Sequence, residues 1–132
     1  MAQVTKRSVR VLVVDDEVSV REFVDRVLRE AGYETAVAVD GPEAIMMAKT
    51  QGPFDLLLAD VIMPEMRGVE VARRLREIEP DLRVLYLTGH SDEIFKERGT
   101  LWGNDVFLNK PTTATGLLQA VSLVLSGLSG TP

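Results

Sequence analysis

Short apolar runs alternate along this chain with longer segments in which apolar residues recur every three or four positions. Five short runs, rich in valine and leucine, are typical of β-strands. They cover residues 9–14, 33–39, 54–59, 83–87 and 106–108. The third run is apolar almost throughout, which indicates a strand covered on both faces, as in a parallel sheet.

Each strand is followed by a segment with helical character. After the first strand, Val20, Val24, Val27 and Leu28 form one apolar stripe, and Gly32 stands just beyond it, where a helix commonly ends. Five helices are predicted in all, over about residues 20–28, 42–50, 71–78, 92–98 and 113–125.

Five strand–helix units predict an α/β fold. Because crossovers between parallel strands are right-handed, the units form an open, doubly wound, five-stranded parallel sheet with helices on both faces. A chain of 132 residues has the size of one domain. We expect that domain to span residues 8–126, with residues 1–7 and 127–132 as short flexible ends and no effector domain.

The composition excludes several kinds of chemistry. The chain has no cysteine, which excludes disulfides, thiolate metal sites and thiol catalysis. It has a single histidine, His90, which excludes histidine-rich metal sites. A formal net charge of −5 argues against binding to nucleic acid. No run approaches the roughly 20 apolar residues of a membrane span, and the N-terminus lacks the apolar region of a signal peptide. We therefore expect a cytoplasmic domain that contacts no membrane.

Polar residues close four of the predicted strands. They are Asp15 and Asp16 after the first, Asp60 after the third, Thr88 after the fourth and Lys110 after the fifth. Ligands of such sheets bind at the carboxyl ends of the strands. Three carboxylates at one edge repel one another, and Mg²⁺ would relieve that repulsion while accepting phosphate oxygens as further ligands. The lysine and threonine suit the other oxygens of a phosphoryl group, and a carboxylate can attack phosphorus to give an acyl phosphate.

Four motifs at these strand ends carry a resemblance to a known family. They are VVDDE at residues 13–17, LADVIMPEMRG at 58–68, LTG at 87–89 and FLNKP at 107–111. From about residue 8 to residue 125 the chain resembles a bacterial response-regulator receiver domain of two-component signal transduction. The resemblance implies a flavodoxin-like (βα)5 sheet with strand order 2-1-3-4-5. Residues 88–111 are also similar to the receivers of hybrid sensor kinases.

The resemblance implies that Asp60 is the phosphoacceptor. It would take a phosphoryl group from the histidine of a sensor histidine kinase or of a phosphotransfer protein. Asp15, Asp16 and Asp60 would hold Mg²⁺ together with the backbone carbonyl of Ile62. The domain would promote only its own phosphorylation and slow dephosphorylation, and would not be an enzyme in the wider sense.

The resemblance also assigns the residues that transmit the signal. Lys110 would pair with a phosphoryl oxygen, and its bond to Pro111 would be cis. Thr88 would hydrogen-bond the phosphoryl group and move toward it, and Phe107 would swing inward behind it. This switch would alter the face formed by the fourth helix, fifth strand and fifth helix. The alternative for Phe107 is a plain core residue.

Several neighbouring residues are expected to modulate the site. Ile62 offers no hydrogen bond and would shield phosphorus, whereas His90 either orients a water or is a loop histidine without a role. Gly89 is either a turn residue or a place where a side chain would crowd the phosphoryl group. Arg67 stands where the family often carries aspartate, which changes loop charge or partner choice. For Glu17, an acid at a helix N-terminus is favoured over a residue that orients the metal.

The last 22 residues, from Pro111 onward, carry no charge. Thr112 or Thr113 is expected to cap a final helix with a wide apolar stripe. The stripe is either buried in the core, with small polar residues outside, or part of a partner or homodimer surface on the face that phosphorylation remodels.

Two other functions stand beside the phospho-accepting receiver. One is a degenerate receiver that only binds a partner protein, and the intact set of five strand-end residues argues against it. The other is a haloacid-dehalogenase-like phosphatase, whose nucleophile follows the first strand in an Asp-x-Asp arrangement and whose cap domain does not fit in this length. No DNA-binding domain follows the receiver in this sequence, so we expect either that output requires a downstream protein, which the sequence does not identify, or that the chain is a piece of a longer protein.

Overall fold

A computed structural model describes residues 8–89, 106–110 and 112–126 of the chain. Its strands are β1 (Arg10–Val14), β2 (Glu34–Ala38), β3 (Leu56–Asp60), β4 (Arg83–Thr88) and β5 (Val106–Asn109). Its helices are α1 (Val18–Glu30), α2 (Gly41–Gln51), α3 (Gly68–Ile78) and α4 (Ala114–Leu125). All five predicted strands are confirmed. The predicted helix at 92–98 lies outside the described residues, so α4 is the helix predicted as the fifth.

The strands form one parallel sheet in the order β2-β1-β3-β4-β5, which confirms the predicted fold. In its middle, Val13 of β1 is paired with Val37 of β2 on one side and Leu58 of β3 on the other. The chain therefore leaves β1 in one direction to form β2 and returns to the opposite side to form β3. This reversal opens a crevice at the carboxyl ends of β1 and β3, where doubly wound sheets bind their ligands.

Alternate residues of each strand enter two separate hydrophobic cores. Leu57 and its neighbours on one face pack against α2 and α3, and Leu58 and its neighbours on the other pack against α1 and α4. All five residues of β3 are buried, as the continuous apolar run predicted. Burial on both faces fixes the register of the central strands, because a shift by one residue would exchange the two cores.

Side-chain hydrogen bonds satisfy backbone groups at several helix ends. The Oδ1 atom of Asp40 accepts a hydrogen bond from the backbone N–H of Glu43 (2.9 Å) at the start of α2. Of the two predicted caps of α4, Thr113 acts, accepting from the N–H of Gly116 (2.9 Å). At the other end of α4, Arg83 donates to the carbonyl of Val124 (2.9 Å). This contact supplies the positive charge that α4 itself lacks at its C-terminus.

The apolar stripe of α4 mostly faces the core. Four of its residues are buried, namely Leu117, Ala120, Val121 and Val124. Leu118 and Leu125 are partly buried against the same core, while the side chain of Leu123 is 49% exposed. The buried-stripe interpretation therefore accounts for most of the helix. Among the described residues, no helix is both long and apolar enough to cross a membrane.

Candidate functional site

The predicted site residues meet at one edge of the sheet. Asp15 follows β1, Asp60 ends β3, Thr88 ends β4 and Lys110 follows β5. Asp15, Asp60 and Thr88 are the buried polar and charged residues of the described part of the chain. Burying polar groups is costly unless they are paired, so their concentration at the crevice indicates a functional site.

The ammonium of Lys110 joins the acidic residues of the crevice. Its Nζ atom lies 3.0 Å from Asp15 Oδ2, 2.9 Å from Glu17 Oε1 and 3.1 Å from Asp60 Oδ2. The other carboxylate oxygens use backbone donors: Asp15 Oδ1 accepts from the N–H of Glu17 (2.9 Å) and Asp60 Oδ1 from that of Ile62 (3.3 Å). Among the described residues, one ammonium thus faces three carboxylates.

The acidic cluster has the properties of a site for a hard divalent cation. Carboxylate oxygens of Asp15, Asp16 and Asp60 lie within 4.8 Å of one another. Asp15 Oδ2 is buried, and its close contact among the described residues is the ion pair with the Lys110 ammonium at 3.0 Å. An all-oxygen set that includes a buried carboxylate oxygen fits Mg²⁺. Asp16 is exposed, so water can complete the coordination.

Burial dominates the electrostatics of the crevice. It raises the pKa of Asp15 and of Asp60 above 3.8, and the hydrogen bonds and charge of Lys110 only partly oppose this. For Lys110, burial acts to lower the pKa, but hydrogen bonds and charge from Glu17, Asp15 and Asp60 outweigh it, so the net pKa is raised. The lysine is therefore held in its charged form by the acids around it.

Two residues that the sequence analysis did not single out for the site support the loops that carry the acids. The guanidinium of Arg21 donates a hydrogen bond to the backbone carbonyl of Asp15 (2.6 Å), which stabilises the loop between β1 and α1. Gly68 donates its N–H to the carbonyl of Val61 (2.9 Å), and a Cβ atom built on it would overlap the carbonyl oxygen of Asp60. The glycine in the 58–68 motif was a signal for this close approach, but its partner was not visible in the sequence.

Glu17 makes a contact that the sequence did not indicate. It is the N-cap residue of α1, and its side chain makes no capping hydrogen bond. Its carboxylate accepts a hydrogen bond from Lys110 across the crevice. The favoured role as an acid at a helix N-terminus agrees with this position and stays a prediction, and the contact with Lys110 is an additional one.

The structure describes some of the predicted switch and modulating residues but not all of them. The ring of Phe107 is half-buried and stacks on that of Tyr86, with centroids 5.0 Å apart. Among the described residues, a Cβ atom built on Gly89 would meet only Lys110 Cβ within 4 Å, at 3.9 Å, which is an ordinary contact. His90 and Pro111 lie outside the described residues, and the predicted cis bond between Lys110 and Pro111 therefore stays a prediction.

Comparison with known proteins identifies the family. A sequence model of the response regulator receiver domain matches residues 11–122. The chain belongs to the response regulator receiver domain family. Receiver domains act in two-component signalling, where they interact with histidine kinases or phosphotransfer proteins. This membership leaves no support for the phosphatase alternative.

Curated receiver proteins of two lengths are similar to this chain. It is 41% identical to response regulator MprA of Mycobacterium bovis over 118 aligned residues, and the alignment covers 89% of this chain and 51% of MprA. It is also 41% identical over 116 residues to the receiver protein CpdR of Brucella abortus, covering 88% of this chain and 96% of CpdR. The chain thus spans about half the length of MprA and nearly all of CpdR.

Solved receiver structures share the fold. Chemotaxis protein CheY4 of Vibrio cholerae superposes with a TM-score of 0.81 at 35% identity, covering 90% of this chain and 100% of CheY4. The receiver domain of the hybrid histidine kinase CckA superposes with a TM-score of 0.74 at 33% identity, covering 88% of this chain and 98% of the CckA domain.

Proposed function

We propose that this receiver domain accepts a phosphoryl group on Asp60 from a sensor histidine kinase or a phosphotransfer protein, in the cytoplasm. The observation that carries the proposal is the contact between Lys110 Nζ and Asp60 Oδ2 (3.1 Å), with Asp15 3.0 Å away on the same ammonium. A buried carboxylate, a fixed cation and a second buried acid are what phosphoryl transfer to aspartate requires. A receiver that only binds partners would not need this arrangement.

In the proposed reaction, a carboxylate oxygen of Asp60 attacks phosphorus. An O–P bond forms on Asp60 as the bond from phosphorus to the donor's histidine nitrogen breaks, and the nitrogen keeps the electron pair. The product is an acyl phosphate. Lys110 stands beside the acceptor and would pair with a phosphoryl oxygen, and the hydroxyl of Thr88 would hydrogen-bond another.

Asp15, Asp16 and Asp60 would hold Mg²⁺, together with the backbone carbonyl of Ile62. The buried Asp15 Oδ2 atom and the close carboxylate oxygens support this assignment. When bound, the cation would neutralise charge that develops on the phosphoryl oxygens. A bound cation would also offset the cost of burying Asp15 and Asp60 and the repulsion among the carboxylates.

We expect the signal to leave the site through Thr88 and Phe107. Thr88 lies at the end of β4, and Phe107 on β5 stacks on Tyr86, which is itself fully buried. Movement of Thr88 toward the phosphoryl group would let the half-buried Phe107 ring turn inward. The face formed by residues 92–98, β5 and α4 would then change and bind a downstream protein.

A homodimer through the same face is part of this expectation. The half-exposed Leu123 of α4 supplies an apolar contact there. Size-exclusion chromatography with and without beryllofluoride, which mimics the phosphoryl group, tests this point. A monomer in both states would remove the homodimer from the proposal.

The experiment that tests the proposed function maps the modified residue. The protein is phosphorylated with acetyl phosphate and Mg²⁺, and the acyl phosphate is reduced with borohydride, which converts a phosphorylated aspartate to homoserine. Peptide sequencing by mass spectrometry should find homoserine at position 60. Homoserine at Asp15 or Asp16, or at no position, would contradict the assignment.

A further inference from the structure

Lys110 already contacts three carboxylates, and the proposed function gives it a phosphoryl oxygen as a further partner. Its ammonium carries three N–H donors, and carboxylates of Asp15, Glu17 and Asp60 all lie within 3.1 Å of Nζ. The proposed function adds a phosphoryl oxygen to this set and removes the charge of the Asp60 carboxylate. The phosphoryl group therefore replaces Asp60 as an anionic partner and competes with Asp15 and Glu17 for the ammonium.

The exposed fractions of the three carboxylate side chains indicate which contact Lys110 can lose most easily. The side chain of Glu17 is 58% exposed, whereas those of Asp15 and Asp60 are 2% and 5% exposed. Water can replace the ammonium around an exposed carboxylate at small cost, but a buried carboxylate left without its cation is strongly disfavoured. Glu17 is thus the partner that Lys110 can release most easily.

Other roles for the Glu17 side chain have less support in the contacts. It makes no capping hydrogen bond at the start of α1. It is also absent from the group of carboxylates close enough to share a cation, which consists of Asp15, Asp16 and Asp60. Its contact with Lys110, 93 positions away in the chain, is a hydrogen bond as well as an ion pair.

We propose that Glu17 is a positioning residue that competes with the phosphoryl group for Lys110. It holds the ammonium in the unphosphorylated state and releases it when the phosphoryl group arrives. Glu17 therefore lowers the readiness of the domain to accept a phosphoryl group. This inference rests on the function proposed above, since it assigns Lys110 to a phosphoryl oxygen.

Two variants separate the direct contact from the general effect of charge. Glu17→Gln removes the charge, and Glu17→Asp keeps the charge but shortens the side chain so that it no longer reaches Nζ. Glu22→Gln is the matched control, because it removes one exposed acid from α1. If the contact matters, both variants at position 17 should bind beryllofluoride about two- to fivefold more tightly than wild type, the strength of an exposed ion pair. The control should not change.

The measurement is a titration of the folded protein with beryllofluoride at saturating Mg²⁺, followed by NMR, with Mg²⁺ affinity measured separately by calorimetry. The gain at position 17 should shrink in about 1 M salt, because salt screens an exposed ion pair. The Mg²⁺ affinity should change less than the beryllofluoride affinity. A purely structural role would not produce that split.

The outcomes distinguish this inference from the proposed function. If wild type binds beryllofluoride and both Glu17 variants match it, the competition is disproved while the proposed function stands. If Glu17→Gln binds more tightly but Glu17→Asp equals wild type, long-range charge acts and the contact does not. If wild type binds no beryllofluoride, the proposed function fails, and the role of Glu17 fails with it.

Discussion

Lys110 Nζ lies 3.1 Å from Asp60 Oδ2, so an ion pair joins two residues that are 50 positions apart in the chain. The contact links the carboxyl ends of β3 and β5 across the crevice. It also leaves the crevice with more carboxylates than cations. The stability of the fold and the chemistry of the site therefore depend on the same few charges.

Replacing Asp60 by asparagine should stabilise the fold at pH 7. Burial raises the pKa of Asp60 above 3.8, so folding favours its neutral form. The stabilisation that this provides is fully present below the unfolded pKa and is lost as the pH rises through the folded pKa. At pH 7 the charged carboxylate costs free energy, and Asp60→Asn should raise the free energy of unfolding by about 1 kcal/mol.

Urea unfolding without divalent ions measures this difference. The gap between Asp60→Asn and wild type should narrow as the pH is lowered toward 3.8. Asp81→Asn, which changes an exposed aspartate, should show no comparable gain. A variant at position 60 that is less stable than wild type at pH 7 would show that the ion pair with Lys110 outweighs the cost of burial.

Replacing Lys110 by methionine should make the fold depend on Mg²⁺. Without the ammonium, Asp15 and Asp60 are buried with no cation, so Lys110→Met should lose roughly 2 to 3 kcal/mol in EDTA. Added Mg²⁺ should then stabilise this variant more than it stabilises wild type. Thermal unfolding with and without Mg²⁺ tests this, with the exposed Lys49→Met as the control. Equal gains from Mg²⁺ in both proteins would be evidence against a shared site.

Two glycines near the site should respond differently to alanine. A Cβ atom at Gly68 overlaps the carbonyl oxygen of Asp60, so Gly68→Ala has to displace backbone and should cost more than about 2 kcal/mol. At Gly89 the nearest described atom is 3.9 Å away, so Gly89→Ala should stay within about 0.5 kcal/mol. Chemical unfolding of the two alanine variants measures their free energies of unfolding and tests this difference. Equal stability of the two variants would contradict the close approach at Gly68.

Residues 62 and 90 should set the lifetime of the acyl phosphate. The side chain of Ile62 offers no hydrogen bond to a water, so Ile62→Asn should shorten the lifetime by several-fold. His90→Ala should lengthen it if the imidazole orients a water. Decay of the phosphorylated protein after removal of the donor measures both. Unchanged acyl phosphate lifetimes in both variants would contradict the proposal that these two positions modulate the site.

The fold and the gathering of the site were predictable because they depend on local patterns. Alternating strand and helix periods specify the parallel sheet, and the parallel sheet brings the ends of its strands together. The resemblance to receiver domains supplied the strand order that brings Asp15, Asp60 and Lys110 close together at that edge. Their types then indicated a cation and a phosphoryl group.

The remaining features depend on contacts that no local pattern encodes. The contact of Glu17 with Lys110 joins residues 93 positions apart, so the sequence indicated only the place of Glu17 at a helix start. The bond from Arg21 to the carbonyl of Asp15 depends on the turn of a loop. Position 68 leaves no room for a side chain because the carbonyl of Asp60 passes close to it.

The intact mass of the protein after incubation with acetyl phosphate tests the central claim most directly. Wild type and Asp60→Asn are compared with Mg²⁺ and with EDTA. We predict a single phosphoryl adduct on wild type with Mg²⁺, and none on the variant or in EDTA. An adduct on Asp60→Asn, or none on folded wild type with Mg²⁺ present, would contradict phosphorylation at Asp60.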